Sequence, residues 1–183
     1  MCSFNQYYKI TPDLWKLWMA IMRAVPATKL WLIKFDAVDG PKNLKKECEA
    51  EGVDFSRIVI SDMFPREREF LIKGLADLFL DTPEFNAHTT ATDALWAGVP
   101  MVSLPGLNMA QRVAGSLCKD AGMSHLLARN MEDYSRVIMR LVSSVSKLRA
   151  AKAQLHAARL TPAFDIELRV RAHEKGMKMA ADM

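Results

Sequence analysis

Apolar residues along this chain fall into two alternating patterns. Short runs at 2–4, KLWLIKF (29–35), RIVIS (57–61), DLFLDT (77–82) and VPMVSLP (99–105) have the length and apolar content of buried strands. Between them the apolar positions spread to helical spacing. In TPDLWKLWMAIMRAV (11–25), Leu14, Leu17, Trp18 and Ile21 line one face, with Thr11 as N-cap and Pro12 at the first helical position. PKNLKKECEAEG (41–52) reads as a charged surface helix ended by Gly52, and PREREFLIKGLA (65–76) as a further helix. The helix that follows the 81–90 turn stops at Gly98, and MAQRVAGSLCKDAG (109–122) is another. From 131 to about 160 the pattern stays helical with no Gly or Pro to break it, and a last helical segment starts at 164.

Strands alternating with helices in this way predict βαβ units and a single α/β domain. Its core is a doubly wound, Rossmann-like parallel sheet covered on both faces. In such sheets the carboxyl ends of the strands carry the ligand site. One of these ends, DTPEFNAHTTATDALWAGVP (81–100), packs a histidine, threonines and an aspartate between a strand and a helix. The free N–H groups of a helix N-terminus suit phosphate. Thr89, Thr90 and His88 add side-chain donors, and Asp93, one turn on, is suited to accept from ribose hydroxyls. Together they would hold a sugar nucleotide diphosphate. Thr90-x-x-Asp93 also reads as a capping box, and the two readings are compatible.

Composition narrows the classes. Half of the 183 residues are hydrophobic and a quarter charged, enough for one ordinary core, and the net charge of +4 is too small to argue for nucleic acid. Three cysteines without CxxC spacing predict a reducing, intracellular setting and no disulfide framework. The longest apolar stretch is broken by Lys16 and Arg23, so no membrane span and no membrane partner are expected. GxGxxG, GxxxxGK[ST] and GxSxG are all absent. The four histidines, His88, His125, His156 and His173, lack metal-ligand spacing, so no metal is predicted. KLRAAKAQLHAAR (147–159) reads as a solvated basic face, with no nucleic-acid partner implied.

SFNQYYKITPDLWKLWMAIMRAVP, HTTATDALWAGVPMV and FDAVDGPKNL…GVDFSRIVIS together resemble the C-terminal catalytic lobe of the eukaryotic protein O-GlcNAc transferases, in one register from residue 2 to about 164. The resemblance implies a GT-B glycosyltransferase that moves GlcNAc from UDP-GlcNAc to Ser and Thr of nuclear and cytoplasmic proteins. It implies inversion at the anomeric carbon, no metal and no cofactor beyond the donor. Residue by residue, it implies that Gln6 and Lys9 contact the diphosphate, with Lys9 the catalytic cation that stabilises departing UDP. His88, Thr89 and Thr90 match the phosphate-binding turn and Asp93 the ribose contact. MFPRE (63–67) matches the uracil-reading loop, which sets Phe64 and Arg66 against the base.

The chain departs from the pattern next to that loop. Glu69 stands where the family has a histidine near the uridine, and Ile72, followed by Lys73, where it has an arginine. An acidic group there weakens UDP binding unless it turns outward or accepts from a nucleotide hydroxyl. The resemblance divides the chain into a UDP-sugar-binding lobe (1–163) and a helical segment (164–183). The family's first lobe and its 34-residue helical (TPR) repeats are absent from these residues, so little transfer is expected without them. Two alternatives remain: a Spindly-type protein O-fucosyltransferase lobe using GDP-fucose, against which His88 in NAHTTATDALWAG speaks, and a nucleotide-sugar-binding module without catalysis. Trp15, Trp18 and Trp96 are candidates for the core or for contact with a covering lobe, and helical spacing favours the core for Trp96.

Overall fold

In the computed structural model, which describes residues 1–35, 39–65, 67–158 and 164–182, five strands form one sheet with every pair parallel. They are β1 (Cys2–Ser3), β2 (Leu30–Ile33), β3 (Ile58–Ser61), β4 (Phe79–Leu80) and β5 (Met101–Val102), in the order β3-β2-β1-β4-β5. The helices are α1 (Pro12–Ala24), α2 (Gly40–Ala50), α3 (Glu69–Lys73), α4 (Thr89–Trp96), α5 (Val113–Asp120), α6 (Met131–Val142), α7 (Val145–Ala157) and α8 (Ile166–Ala181). This is the doubly wound Rossmann-like sheet that the alternating pattern predicts. The strands buried on both faces hold Leu30, Leu32, Phe79, Leu80, Met101 and Val102 almost entirely away from water, under Trp18 and Met19 of α1 and Tyr134 and Ile138 of α6.

Several boundaries follow local signals. Thr11 Oγ1 accepts from the Leu14 N–H at 3.3 Å, capping α1 as its sequence predicts. Gly52 and Gly98 lie at φ +69° and +82°, so α2 and α4 end where only glycine enters the left-handed region without strain.

Other expectations give way. The strands span two to four residues rather than five to seven, although backbone bonds from Cys2 to Leu78 and from Asp81 to Val102 extend the pairing. After that last strand bond the Asp81 and Thr82 carbonyls accept from side chains, Tyr134 Oη and Asn86 Nδ2, instead of from a neighbouring strand. The helix expected at 65–76 covers only Glu69–Lys73, because tighter bonds from Arg68 N–H to Pro65 and from Leu75 N–H to Ile72 close off both ends. Residues 109–111 form a 3₁₀ turn capped by Asn108, and α5 starts after it. The helix expected from 131 to 160 breaks at Ser143 and Ser144; Ser144 Oγ accepts from the Lys147 N–H at 3.4 Å and opens α7. Serine competes for backbone bonds, so it starts helices more readily than it continues them. Trp96 is 43% exposed, while Trp15 and Trp18 are buried. The inward stripe of α4 is Ala91, Ala94 and Leu95, which leaves Trp96 on the flank with its ring edge on Phe164 at 5.3 Å. The division set at 163/164 adjoins residues 159–163, which lie outside the described residues; α8 beyond it is helical, as expected.

Candidate functional site

Strand order places the site before any side chain is considered. From β1 the chain moves outward through β2 to β3, and from β4 it moves the other way to β5. The carboxyl ends of β1 and β4 therefore open a crevice at the topological switch point, where sheets of this kind bind ligands. The segment after β1 brings Gln6 and Lys9, and the segment after β4 brings residues 81–88.

These two segments meet at Lys9. Its Nζ donates to the Asn86 carbonyl at 3.2 Å and lies 3.9 Å from the centre of the Phe85 ring, whose edge in turn meets the His88 ring at 5.2 Å. Burial pulls the Lys9 ammonium down from the ordinary lysine value, and nearby Asp81 pulls it back up. Gln6 is exposed at the mouth, and its carbonyl accepts from the Lys9 N–H at 3.0 Å.

His88 is the N-cap of α4 and makes no side-chain cap bond. Its carbonyl accepts from the Ala91 and Thr92 N–H groups at 3.0 and 3.2 Å. Among the described residues no bond uses the N–H of Thr89 or Thr90, which are exposed and half-buried respectively. The Thr90–Asp93 capping box is thus not formed: Thr90 already lies inside the helix, and Asp93 is drawn to a different partner. What remains is an uncapped N-terminus with open donors next to a lysine, a place for an anion.

A polar network that sequence reasoning missed holds this turn from below. Asp81, fully buried, accepts from the Ala87 N–H at 2.7 Å and from Ser103 Oγ at 2.6 Å. Its own carbonyl accepts from Tyr134 Oη at 2.7 Å. Asn5 Nδ2 donates to Thr82 Oγ1 at 2.8 Å, which donates to the Phe85 carbonyl at 2.7 Å, and Asn86 Nδ2 donates to the Thr82 carbonyl at 3.1 Å. Burial pushes the Asp81 carboxyl up to about 6, against the pull of Ser103, the Ala87 and Thr82 N–H groups and Lys9. The available signal was a charged residue closing an apolar run, as Asp81 does after Leu78, Phe79 and Leu80.

A second cluster lies further along α4. Lys73, only 3% exposed, sets its Nζ 2.5 Å from Glu69 Oε1 and 2.9 Å from Asp93 Oδ2. Glu69 therefore neither turns away nor stands alone; it shares a buried cation with the ribose candidate Asp93. Phe64 packs its ring edge-on against Phe4 and Trp31, with centroids 5.7 and 5.6 Å apart, so part of that ring is committed to the core edge rather than presented to a base. Arg66 lies outside the described residues. The structure thus joins Lys9 to the His88–Thr90 turn, and Glu69 to Asp93 through Lys73.

The sequence model of glycosyl transferase family 41 matches residues 1–172. The chain belongs to glycosyl transferase family 41. The match extends past 164 into α8, further than the motifs alone reach. The chain is 42% identical over 164 residues to the probable UDP-N-acetylglucosamine–peptide N-acetylglucosaminyltransferase SEC of Arabidopsis thaliana, and 38% identical over 167 residues to the UDP-N-acetylglucosamine–peptide N-acetylglucosaminyltransferase of Caenorhabditis elegans. These alignments cover 88% and 91% of this chain but only 17% and 14% of the relatives, so the chain spans about a sixth of their length. The SPINDLY relative of Arabidopsis thaliana is 31% identical, over 85% of this chain and 18% of its own. Among solved structures, a mutant of the Thermobaculum terrenum O-GlcNAc transferase superposes with a TM-score of 0.84 at 27% identity, covering 96% of this chain and 35% of that one. This close match to an O-GlcNAc transferase agrees with the GT-B lobe expected for the family-41 chain. Anabaena HepE, solved with UDP, shares the fold at a TM-score of 0.61 and 15% identity, over 97% of this chain and 48% of its own.

Proposed function

We propose that this family-41 chain is the donor-binding lobe of a protein O-GlcNAc transferase. It takes UDP-GlcNAc and serves transfer of GlcNAc to Ser and Thr hydroxyls of cytoplasmic and nuclear proteins. One observation carries the reading: Lys9 and the open N–H groups at the start of α4 converge on one crevice at the switch point of the sheet. The relatives from Arabidopsis thaliana, SPINDLY included, and from Caenorhabditis elegans all carry UDP-N-acetylglucosamine–peptide N-acetylglucosaminyltransferase in their names, which supports this donor.

In the reaction the acceptor oxygen attacks the anomeric carbon from the face opposite UDP, and the bond from that carbon to the diphosphate oxygen breaks. Negative charge then builds on the departing diphosphate. The Lys9 ammonium and the dipole of α4 meet that charge, and neither moves to do so, because the Asp81 network holds the 85–88 turn in place. No step asks for a metal or a cofactor beyond the donor. Gln6 borders the same phosphates, His88, Thr89 and Thr90 line the turn, and Asp93 faces the ribose. Glu69 and the part of the Phe64 ring not packed on Phe4 and Trp31 border the nucleoside, where the resemblance also implies Arg66. The acceptor protein, the first catalytic lobe and the TPR repeats are the partners this lobe works with.

A thermal-shift titration with UDP, GDP and UDP-GlcNAc tests the reading. Ligand at a hundred times its Kd stabilises a protein by about 2.7 kcal/mol, which for a chain of this size raises Tm by roughly 5–10 °C. We expect that shift with UDP and UDP-GlcNAc, and its fall to about half or less at the same ligand concentration in Lys9→Ala, where UDP affinity drops at least about tenfold. A shift with GDP alone would transfer the lobe to the fucosyltransferase reading. No shift in folded protein would remove the nucleotide site altogether.

A further inference from the structure

We propose that Lys73 is a positioning residue that holds Asp93 and Glu69 as a paired acceptor for the two ribose hydroxyls, and thereby sets the preference of the site for a ribonucleotide over its deoxy counterparts. The proposal rests on the nucleotide-donor reading above. The ribose contact of Asp93 belongs to that reading; the roles of Lys73 and Glu69 are added here.

The geometry has three parts. Lys73 closes α3 and Glu69 stands one turn before it, so both project to the same side and meet α4 at Asp93. The ammonium is the buried member, its side chain 4% exposed, while the Glu69 and Asp93 side chains keep 33% and 23% of their surface. The cation thus lies beneath two carboxylates that still reach solvent. One ammonium against two carboxylates also leaves a net negative charge, which repels phosphate and accepts from neutral hydroxyls.

The placement along α4 fits one ligand. Asp93 lies three and four residues beyond Thr90 and Thr89, whose N–H groups are open, about 5–6 Å along the axis at 1.5 Å per residue. Anion-binding donors at one end of the helix and hydroxyl acceptors about one turn away match a phosphate and the ribose beside it. Without Lys73 the two carboxylates would face each other unscreened, and at least one would swing outward. Glu69 is tolerated beside a nucleotide because Lys73 is there.

Isothermal titration of the full chain with UDP, 2′-deoxy-UDP and 3′-deoxy-UDP tests this. The parent is expected to bind UDP at least tenfold more tightly than either deoxy analogue. In Lys73→Met, which keeps the length and suits the buried position, UDP affinity should fall about tenfold while the deoxy analogues change less than threefold, so the preference collapses. Glu69→Gln, which leaves Lys73 beside Asp93, should lower the preference in part. A cooperative thermal melt verifies folding of each variant; if Lys73→Met does not fold, Glu69→Gln decides alone. An unchanged preference in the deciding variant would overturn the proposal. So would an equal loss of all three ligands, the mark of a merely structural ion cluster. If the parent binds UDP and Lys9→Ala does not, such a result leaves the donor site standing. A parent that binds no nucleotide overturns the donor reading and this proposal with it.

Discussion

Asp81 is fully buried and hydrogen-bonded, and it still prefers its proton more than an ordinary carboxyl does. Below about pH 3 both native and unfolded chains hold that proton. As the pH rises from near 3.8 to about 6, the unfolded chain ionises first, so stability falls across this window and stays lower above it. A shift of about two units corresponds to a loss of about 3 kcal/mol at most. Asp81→Asn keeps an acceptor for the Ala87 N–H and does not titrate. Urea melts of both proteins between pH 4 and 7 should therefore show the parent losing about 2–3 kcal/mol relative to the variant. A pH-independent difference would sink this account. The same residue scale separates what can be read in the chain from what cannot. Lys9, His88, Thr89, Thr90 and Asp93 lie in motifs and are legible. Asp81 and Lys73 lie outside those motifs and gain their roles from partners such as Ala87, Asp93 and Ser103, 6 to 22 positions away.

Helix and strand types follow the hydrophobic pattern closely, because period and capping residues act over a few positions. Lengths do not follow it. The Ser143–Ser144 step carries no Gly or Pro, yet α6 and α7 separate there so that Leu141 and Leu155 can both enter the core. At α4 the local signal is sufficient, and Gly98 tests it. An added Cβ would approach His156 Nε2 only to 3.4 Å, so a substitution is limited by the backbone at φ +82° rather than by space. Gly98→Ala should destabilise the fold by about 1–2 kcal/mol, seen as a lower denaturation midpoint with an unchanged slope. A neutral result would mean that α4 ends equally well without a left-handed residue.

On the scale of the whole molecule, the described residues contain no helix long and apolar enough to cross a membrane, and the lobe matches about a sixth of its curated relatives. The donor half alone should bind UDP yet transfer little. Mixing it with a separately expressed first lobe and repeats from a 38–42% identical relative should raise transfer of labelled GlcNAc to a Ser/Thr peptide at least about tenfold over either part. Equal activity with and without that partner would remove the two-lobe account. Sequence by itself determined the alternation of strands and helices, the parallel sheet, the helix start at residues 88–90 and the family motifs, since each depends on residue type at short spacing. Only the tertiary structure decided that Asp81 would be buried beneath the 85–88 turn, that Trp96 would face outward and that Glu69 would share Lys73 with Asp93. Those outcomes depend on which helices pack across the sheet, and long-range packing assigns partners that local spacing does not encode.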